Sequence, residues 1–145
     1  MKLVIQRVKQ AGVEVDGNEI SSIGNGLLIF IGISTDDDGN NIEWLVKKTI
    51  DLRIFEDEQN KMNLSVRDVE GEILLVSQFT LYGSCKKGRR PDFLEAAKPE
   101  KAEKLYLEFA EVLKLNGIIP KLGKFGKHMN IKLLNDGPVT MILEK

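Results

Sequence analysis

The segment "VSQFT", Val76 to Thr80, ends the apolar run "EILLV" with two hydroxyls and an amide. A strand buried along its length changes to polar groups only where they find partners or open on a cleft. Strand ends beside a crevice are common ligand positions. On these residues alone, ligand-facing groups and hydroxyls that bond nearby backbone at the rim are equally good readings. A second pattern, "KKGRRP", sets Lys86, Lys87, Arg89 and Arg90 around a glycine. Such a basic loop suits phosphate oxygens, with a solvated turn as the plain alternative. Its nearness to "SQFT" points to a nucleic-acid-linked substrate whose reactive end lies in the strand-end cleft. A third pattern is Gly137-Pro138 in "NDGPVT", between the apolar runs "IKLL" and "MILE". Glycine frees the backbone and proline removes a donor, so regular pairing should stop there in a loop corner.

Familiar catalytic sets are absent. The chain has one histidine, His128, and one cysteine, Cys85, too few for a metal cluster. "GNGLLI" begins like a dinucleotide fingerprint but carries Ile29 where the last glycine belongs, and P-loop spacing is missing. No metal and no cofactor are expected. A serine triad would have to use His128, which sits in a Lys-rich loop without an acidic neighbour in sequence. Lys86 and Lys87 beside Cys85 would lower a thiol pKa, which keeps a Cys85–His128 pair as an alternative to an idle loop cysteine.

The elements that must hold these residues are legible in outline. At 145 residues the chain fits one domain spanning 1–145. With net charge -1, any nucleic-acid contact must come from a local patch. A lone cysteine builds no disulfide framework and suits a reducing cytoplasm. "MKLVIQRVKQ" is too short in apolar length for a signal core, and no stretch approaches membrane-spanning length. "LVIQRV" and "GVEVDG" read as strands with a turn at Asp16-Gly17-Asn18. Gly26 to Ile33 and Glu72 to Gly83 read as buried strands, and "RIF" as a short one. Ile42, Leu45, Val46, Thr49 and Ile50 mark a helix over about 40–52. Pro99 opens a second helix whose apolar face is Ala102, Leu105, Tyr106, Phe109, Val112 and Leu113, stopping at Asn116-Gly117. Two closing strands follow the "KLGKFGKHM" stretch. The fold class is α+β, with helices covering sheet.

Together "IQRV", "RIF" followed by "KMNLSV", "VSQFTLYG", "GRRPDF" and "NDGPVT" make the chain resemble the D-aminoacyl-tRNA deacylase family nearly end to end. The resemblance implies helices layered on packed β-sheets, a three-layer, barrel-like α/β/β domain. It implies a cytoplasmic homodimer that cleaves the ester between a D-amino acid and the terminal ribose of tRNA. It also implies that Gly137-Pro138 is cis and reaches into the partner's active site. There its carbonyls fill the space that an L side chain needs. Glycine has no side chain to exclude, so glycyl-tRNA is expected as a substrate too. Ser77, Gln78, Phe79 and Thr80 are implied to line the aminoacyl-adenosine pocket. Backbone N–H groups around Phe79 and Thr80 would stabilise the oxyanion, with Thr80 positioning substrate and the ribose 2′-hydroxyl assisting water. Lys86, Lys87, Arg89 and Arg90 are expected on tRNA phosphates. Cys85 and His128 receive no role.

Overall fold

Asp16 and Gly17 both take positive φ, 50 and 79. That two-residue turn suits the twist of antiparallel strands, and it folds β1 (Lys2–Val15) onto β2 (Asn18–Ile23). The computed structural model describes residues 1–86 and 88–145, so Lys87 lies outside the described residues. The chain continues through β3 (Gly26–Gly32), α1 (Ile42–Ile50), a small hairpin of β4 (Phe55–Glu56) and β5 (Met62–Leu64), then β6 (Glu72–Ser77). A 3-10 turn (Phe79–Tyr82), α2 (Pro99–Leu115), β7 (Lys121–Leu122) and β8 (Asn130–Glu144) complete it.

The main sheet runs β2-β1-β3-β6-β7, with β8 on the other edge of β1. β3 pairs with β6, and β6 with β7, in parallel, so each connection must cross over. The two crossovers carry α1 and α2, which share one core with the sheet. Leu27, Ile29, Ile31, Ile73 and Leu75 face those helices, while Leu28, Leu74 and Val76 face a second core. Burial on both sides explains the unbroken apolar runs in β3 and β6. The ends of the strand order nearly meet: Ser21 Oγ of β2 donates to the Leu122 carbonyl of β7 at 2.9 Å. One sheet thus curls into a barrel-like wall with helices on one side, the expected α+β layering.

Three expected elements differ. "LVIQRV" and "GVEVDG" are one strand, β1, whose register against β8 slips between Val8 and Gln10. A slip flips the pleat: Leu3 and Ile5 face the helices, whereas Val8, Ala11, Val13 and Val15 face the second core. The run Glu72 to Gly83 is strand only to Ser77. Pairing with β3 stops at Ile31↔Ser77, and the chain tightens into the 3-10 turn. "IKLL" and "MILE" are not strands turned back at a corner. Both lie on β8 along β1, and Gly137-Pro138 sits in a bulge between them. From Gln6↔Thr140 to Val8↔Asn135, β1 advances two residues and β8 five.

Arg7 holds that bulge. The residue is 3% exposed, and its side chain gives Nη1 to the Ile54 carbonyl at 2.6 Å and Nε to the Asp136 carbonyl at 3.3 Å. Nε also lies 3.1 Å from Asp136 Oδ2, and Nη2 lies 3.4 Å from Glu56 Oε1. The Val139 N–H is satisfied by Asn135 Oδ1 at 3.0 Å. A buried cation is tolerated only with this many acceptors. Lysine keeps the charge but loses the planar fork, leaving buried acceptors without donors. Arg7→Lys is expected to lower unfolding free energy by about 1–3 kcal/mol, read from the urea midpoint at unchanged m-value.

Candidate active site

The parallel strands β3 and β6 end side by side, and a cavity of about 710 Å³ opens beyond their carboxyl ends. Ile31 and Ile33 wall it from the first strand, and Val76, Ser77, Gln78 and Phe79 from the second. Such a crevice beyond parallel strand ends is where α/β sheets place ligands. Ser77 and Gln78 therefore border a cleft, whereas Thr80 is not part of its lining and its hydroxyl accepts a local bond from Gln78. The opposite walls are Phe93, Ala96 and Ala97, the start of α2 at Pro99 and Ala102, and the loop from Phe125 to Met129. The Ser34–Ala96 bridge and Ala97 N–H to the Ile33 carbonyl, 2.9 Å, tie the second wall to the sheet.

The 3-10 turn fixes the backbone donors that follow Gln78. Gln78 N–H caps the Ile31 carbonyl at 2.8 Å, and Leu81 N–H returns to the Gln78 carbonyl at 3.2 Å. The Phe79 and Thr80 N–H groups, first in the turn, have no acceptor among the described residues, as helical geometry requires of its leading donors. Gly32 makes this turn possible. A Cβ there would lie 2.9 Å from Leu81 Cβ and 3.1 Å from the Gln78 carbonyl oxygen, so the turn could not settle on the strand end.

The side chains around those donors are held by local contacts. Gln78 Nε2 donates to Thr80 Oγ1. An amide cannot take the hydroxyl proton, so that bond does not make Thr80 a nucleophile. Tyr82, in the same turn, is pushed up to about 12 by burial first and by the Asp37 carboxylate second. Its phenol is neutral near pH 7 and is no general base there. Phe79 is 57% exposed and packs edge-on against Phe93, centroids 5.0 Å apart. That leaves an aromatic face at the cavity rim, suited to stacking on a planar group.

Lys86, Arg89 and Arg90 are exposed on a loop closed by the reciprocal Ser84–Asp92 backbone bonds, 2.9 and 3.0 Å. The loop returns to the cavity wall at Phe93. Cys85 is exposed and does not line the cavity, whereas His128 does. Gly137 and Pro138, joined by a cis peptide bond, are exposed and contribute nothing to this chain's cavity. The fold therefore gathers Ser77, Gln78 and Phe79 at one place, keeps Thr80 beside them, and leaves Gly137-Pro138 elsewhere. The wall from Phe125 to Met129 was not foreseen. Its one sequence signal is an aromatic and a histidine set among lysines and glycines. Among the described residues no group of three His, Cys, Asp or Glu side chains is placed to hold a metal ion, and no helix is long and apolar enough to cross a membrane.

A sequence-family model described as "D-Tyr-tRNA(Tyr) deacylase" matches residues 4–144. A D-aminoacyl-tRNA deacylase of Desulfatibacillum aliphaticivorans is 54% identical over 144 residues, covering 99% of both chains. Another, from Thermosipho africanus, is 53% identical over 144 residues, covering 99% of this chain and 97% of that one. A solved structure described as "c-Myc DNA Unwinding Element Binding Protein" superposes with a TM-score of 0.95 at 46% identity, covering 100% of this chain and 99% of its own. A second, described as "a probable eukaryotic D-amino acid tRNA deacylase", gives a TM-score of 0.83 at 20% identity and 98% and 97% coverage, a likeness of fold. With family model, relatives and fold matched along nearly the whole length, the chain belongs to the D-Tyr-tRNA(Tyr) deacylase family, hydrolases of the D-aminoacyl-tRNA ester.

Proposed function

We propose that this deacylase binds the aminoacylated 3′ end of tRNA in the strand-end cavity and stabilises the tetrahedral intermediate with the Phe79 and Thr80 N–H groups. The unpaired Phe79 donor on the wall of a largely apolar cavity, with the unpaired Thr80 donor next to it in the turn, carries the reading. A preorganised oxyanion donor of this kind is worth roughly 3–4 kcal/mol of barrier. Water is the attacking group, and the terminal ribose 2′-hydroxyl assists it. Ser77, Gln78 and Phe79 shape the pocket, and Thr80 positions substrate through its bond to Gln78. Lys86, Arg89 and Arg90, exposed beside the cavity wall, take tRNA phosphates, and Lys87 is assigned with them from the sequence alone. The reaction belongs in the cytoplasm, where charged tRNA is used.

Chirality is selected across a two-fold interface, with Gly137-Pro138 of one copy entering the cavity of the other. Two observations support this. The corner is exposed and absent from its own cavity, and it is bracketed on β8 by outward Leu134 (54% exposed) and Ile142 (66%). Among the described residues β8 also pairs only with β1, so its other edge is open along a long strand, a surface that natural folds cover. Backbone carbonyls in the space an L side chain needs would reject by exclusion. Exclusion has nothing to act on in glycine, so glycyl-tRNA is cleaved with the D-esters. Matched D-, L- and glycyl-esters on one tRNA test this: the D- and glycyl-esters should be lost and the L-ester spared. Equal loss of D and L would end the chiral reading.

Two further outcomes test the chemistry and the interface. Thr80→Ala should lower kcat by only about tenfold, one hydrogen bond's worth. A terminal 2′-deoxyribose should cut the rate by about 10²–10⁴-fold, the scale of lost acid–base assistance. An inactive Thr80→Ala protein with a trappable acyl-enzyme in the parent would make the hydroxyl the nucleophile instead. In mixed dimers, one subunit carries a disabled "SQFT" pocket and the other a replaced Gly137-Pro138. One of the two composite sites then inherits both lesions and the other neither. The restored site should cleave the D-ester and spare the L-ester. Subunit exchange without regained selectivity would show that the corner serves its own chain.

A further inference from the structure

The wall of the cavity from Phe125 to Met129 has no part in the reading above, yet it is firmly built. Gly123 N–H donates to the Leu75 carbonyl at 2.9 Å, tying the loop's root to β6. Lys124 N–H points at Met129 Sδ, 3.3 Å away, and Lys127 N–H reaches the Lys124 carbonyl at 3.3 Å. The Phe125 ring lies 5.9 Å from Tyr106, whose hydroxyl donates to that same Leu75 carbonyl at 2.9 Å. Lys127 and His128 are therefore presented by an anchored backbone. Both line the cavity and both are exposed, which puts them at its mouth. None of the ion pairs among the described residues uses either side chain.

The chemistry required at that mouth follows from the proposed function, on which this inference rests. If the ester carbonyl meets the Phe79 and Thr80 N–H groups, the terminal ribose lies beside them. Its 5′-phosphate, the link to the rest of the tRNA, is one sugar further out. An apolar wall offers that anion nothing, so it must leave by a route that carries donors. We propose that Lys127 and His128 bind this 5′-phosphate and so anchor the terminal nucleotide at the cavity mouth. Lys127 supplies a compact charge. The imidazole supplies an N–H donor in either protonation state.

Three D-aminoacyl esters separate the phosphate from the rest of the substrate: the full tRNA, the aminoacyl-adenosine 5′-monophosphate, and the aminoacyl-adenosine with a free 5′-hydroxyl. For Lys127→Ala/His128→Ala, KM should rise about tenfold or more on both phosphate-bearing esters, the scale of a charged hydrogen bond. The rise should be several-fold smaller on the free 5′-hydroxyl ester, and kcat should keep its value on the tRNA. Lys127→Arg, which retains the charge, should recover most of the KM. An equal penalty on all three esters would overturn the inference, as would no penalty, or a loss in kcat alone that would place His128 in proton transfer. A parent protein that cleaves none of the three esters would overturn the proposed function and this inference with it. A parent that cleaves all three, beside a variant whose loss ignores the phosphate, would overturn the inference alone.

Discussion

A guanidinium buried between two strands and a hairpin fixes how this chain closes. Arg7 sits on β1 where β8 carries its extra residues, and its donors reach the Asp136 carbonyl on one side and the Ile54 carbonyl on the other. The bulge, the entry to β4 and the middle of β1 are therefore set by one rigid fork. Taking that charge out of water is costly, so the acceptors around it are a condition of folding rather than a decoration. The same condition pushes Gly137-Pro138 outward. With Asp136 held down and Val139 buried beside it at 7% exposure, the two residues between them have the surface as their remaining place.

The strand ends obey a separate constraint. β3 and β6 are apolar on both faces, and a pattern apolar on both faces says little about register. Glycines at the two ends of β3 supply what the pattern lacks. At Gly26 a Cβ would fall 1.9 Å from the Glu72 carbonyl oxygen, and at Gly32 it would press on Leu81 and the Gln78 carbonyl. Each end accepts only the pairing that puts a glycine there. The position of the Phe79 and Thr80 donors follows from that register.

Much of this was legible in the sequence, and the exceptions share a cause. Helices α1 and α2 follow from apolar spacing and from Pro99, because a helix buries one stripe and its ends carry local signals. The two buried strands were visible for a different reason, the unbroken apolar runs that burial on both faces produces. Local residues misled where pairing at a distance decided the outcome. "NDGPVT" reads as a corner because glycine and proline do end regular pairing, but β1 continues beneath it and captures the chain on both sides. "SQFTLYG" reads as more strand, but β3 has run out of partners by Ile31. The abrupt change of polarity after Val76 allowed either a cleft or local backbone bonds, and the pocket came from the family resemblance rather than from the pattern. Arg7 was visible only as one cation in an apolar run, and the Phe125–Met129 wall lies some fifty residues along the chain from the strand end it faces.

A site with so little side-chain acid–base chemistry places unusual demands on backbone precision. A histidine or a thiol can swing through its rotamers to meet a substrate, and a substitution can tune its pKa. An N–H donor has neither freedom: its direction is the direction of its peptide plane. In this fold that plane is set by the 3-10 turn, the turn by the Gly32 contact and the Ile31 carbonyl, and those by the register of β3 against β6. Catalysis by such donors is a property of the sheet, and damage to it need not involve any residue of the cavity. The same reasoning bears on selectivity. Rejecting an enantiomer by filling its space with main-chain carbonyls requires a corner that does not yield, and Arg7 and Asn135 bind this one from beneath through Asp136 and Val139. Both halves of the proposed site thus rest on backbone held by buried hydrogen bonds. The buried arginine and the two crowded glycines serve that backbone, and none of the three lines the cavity.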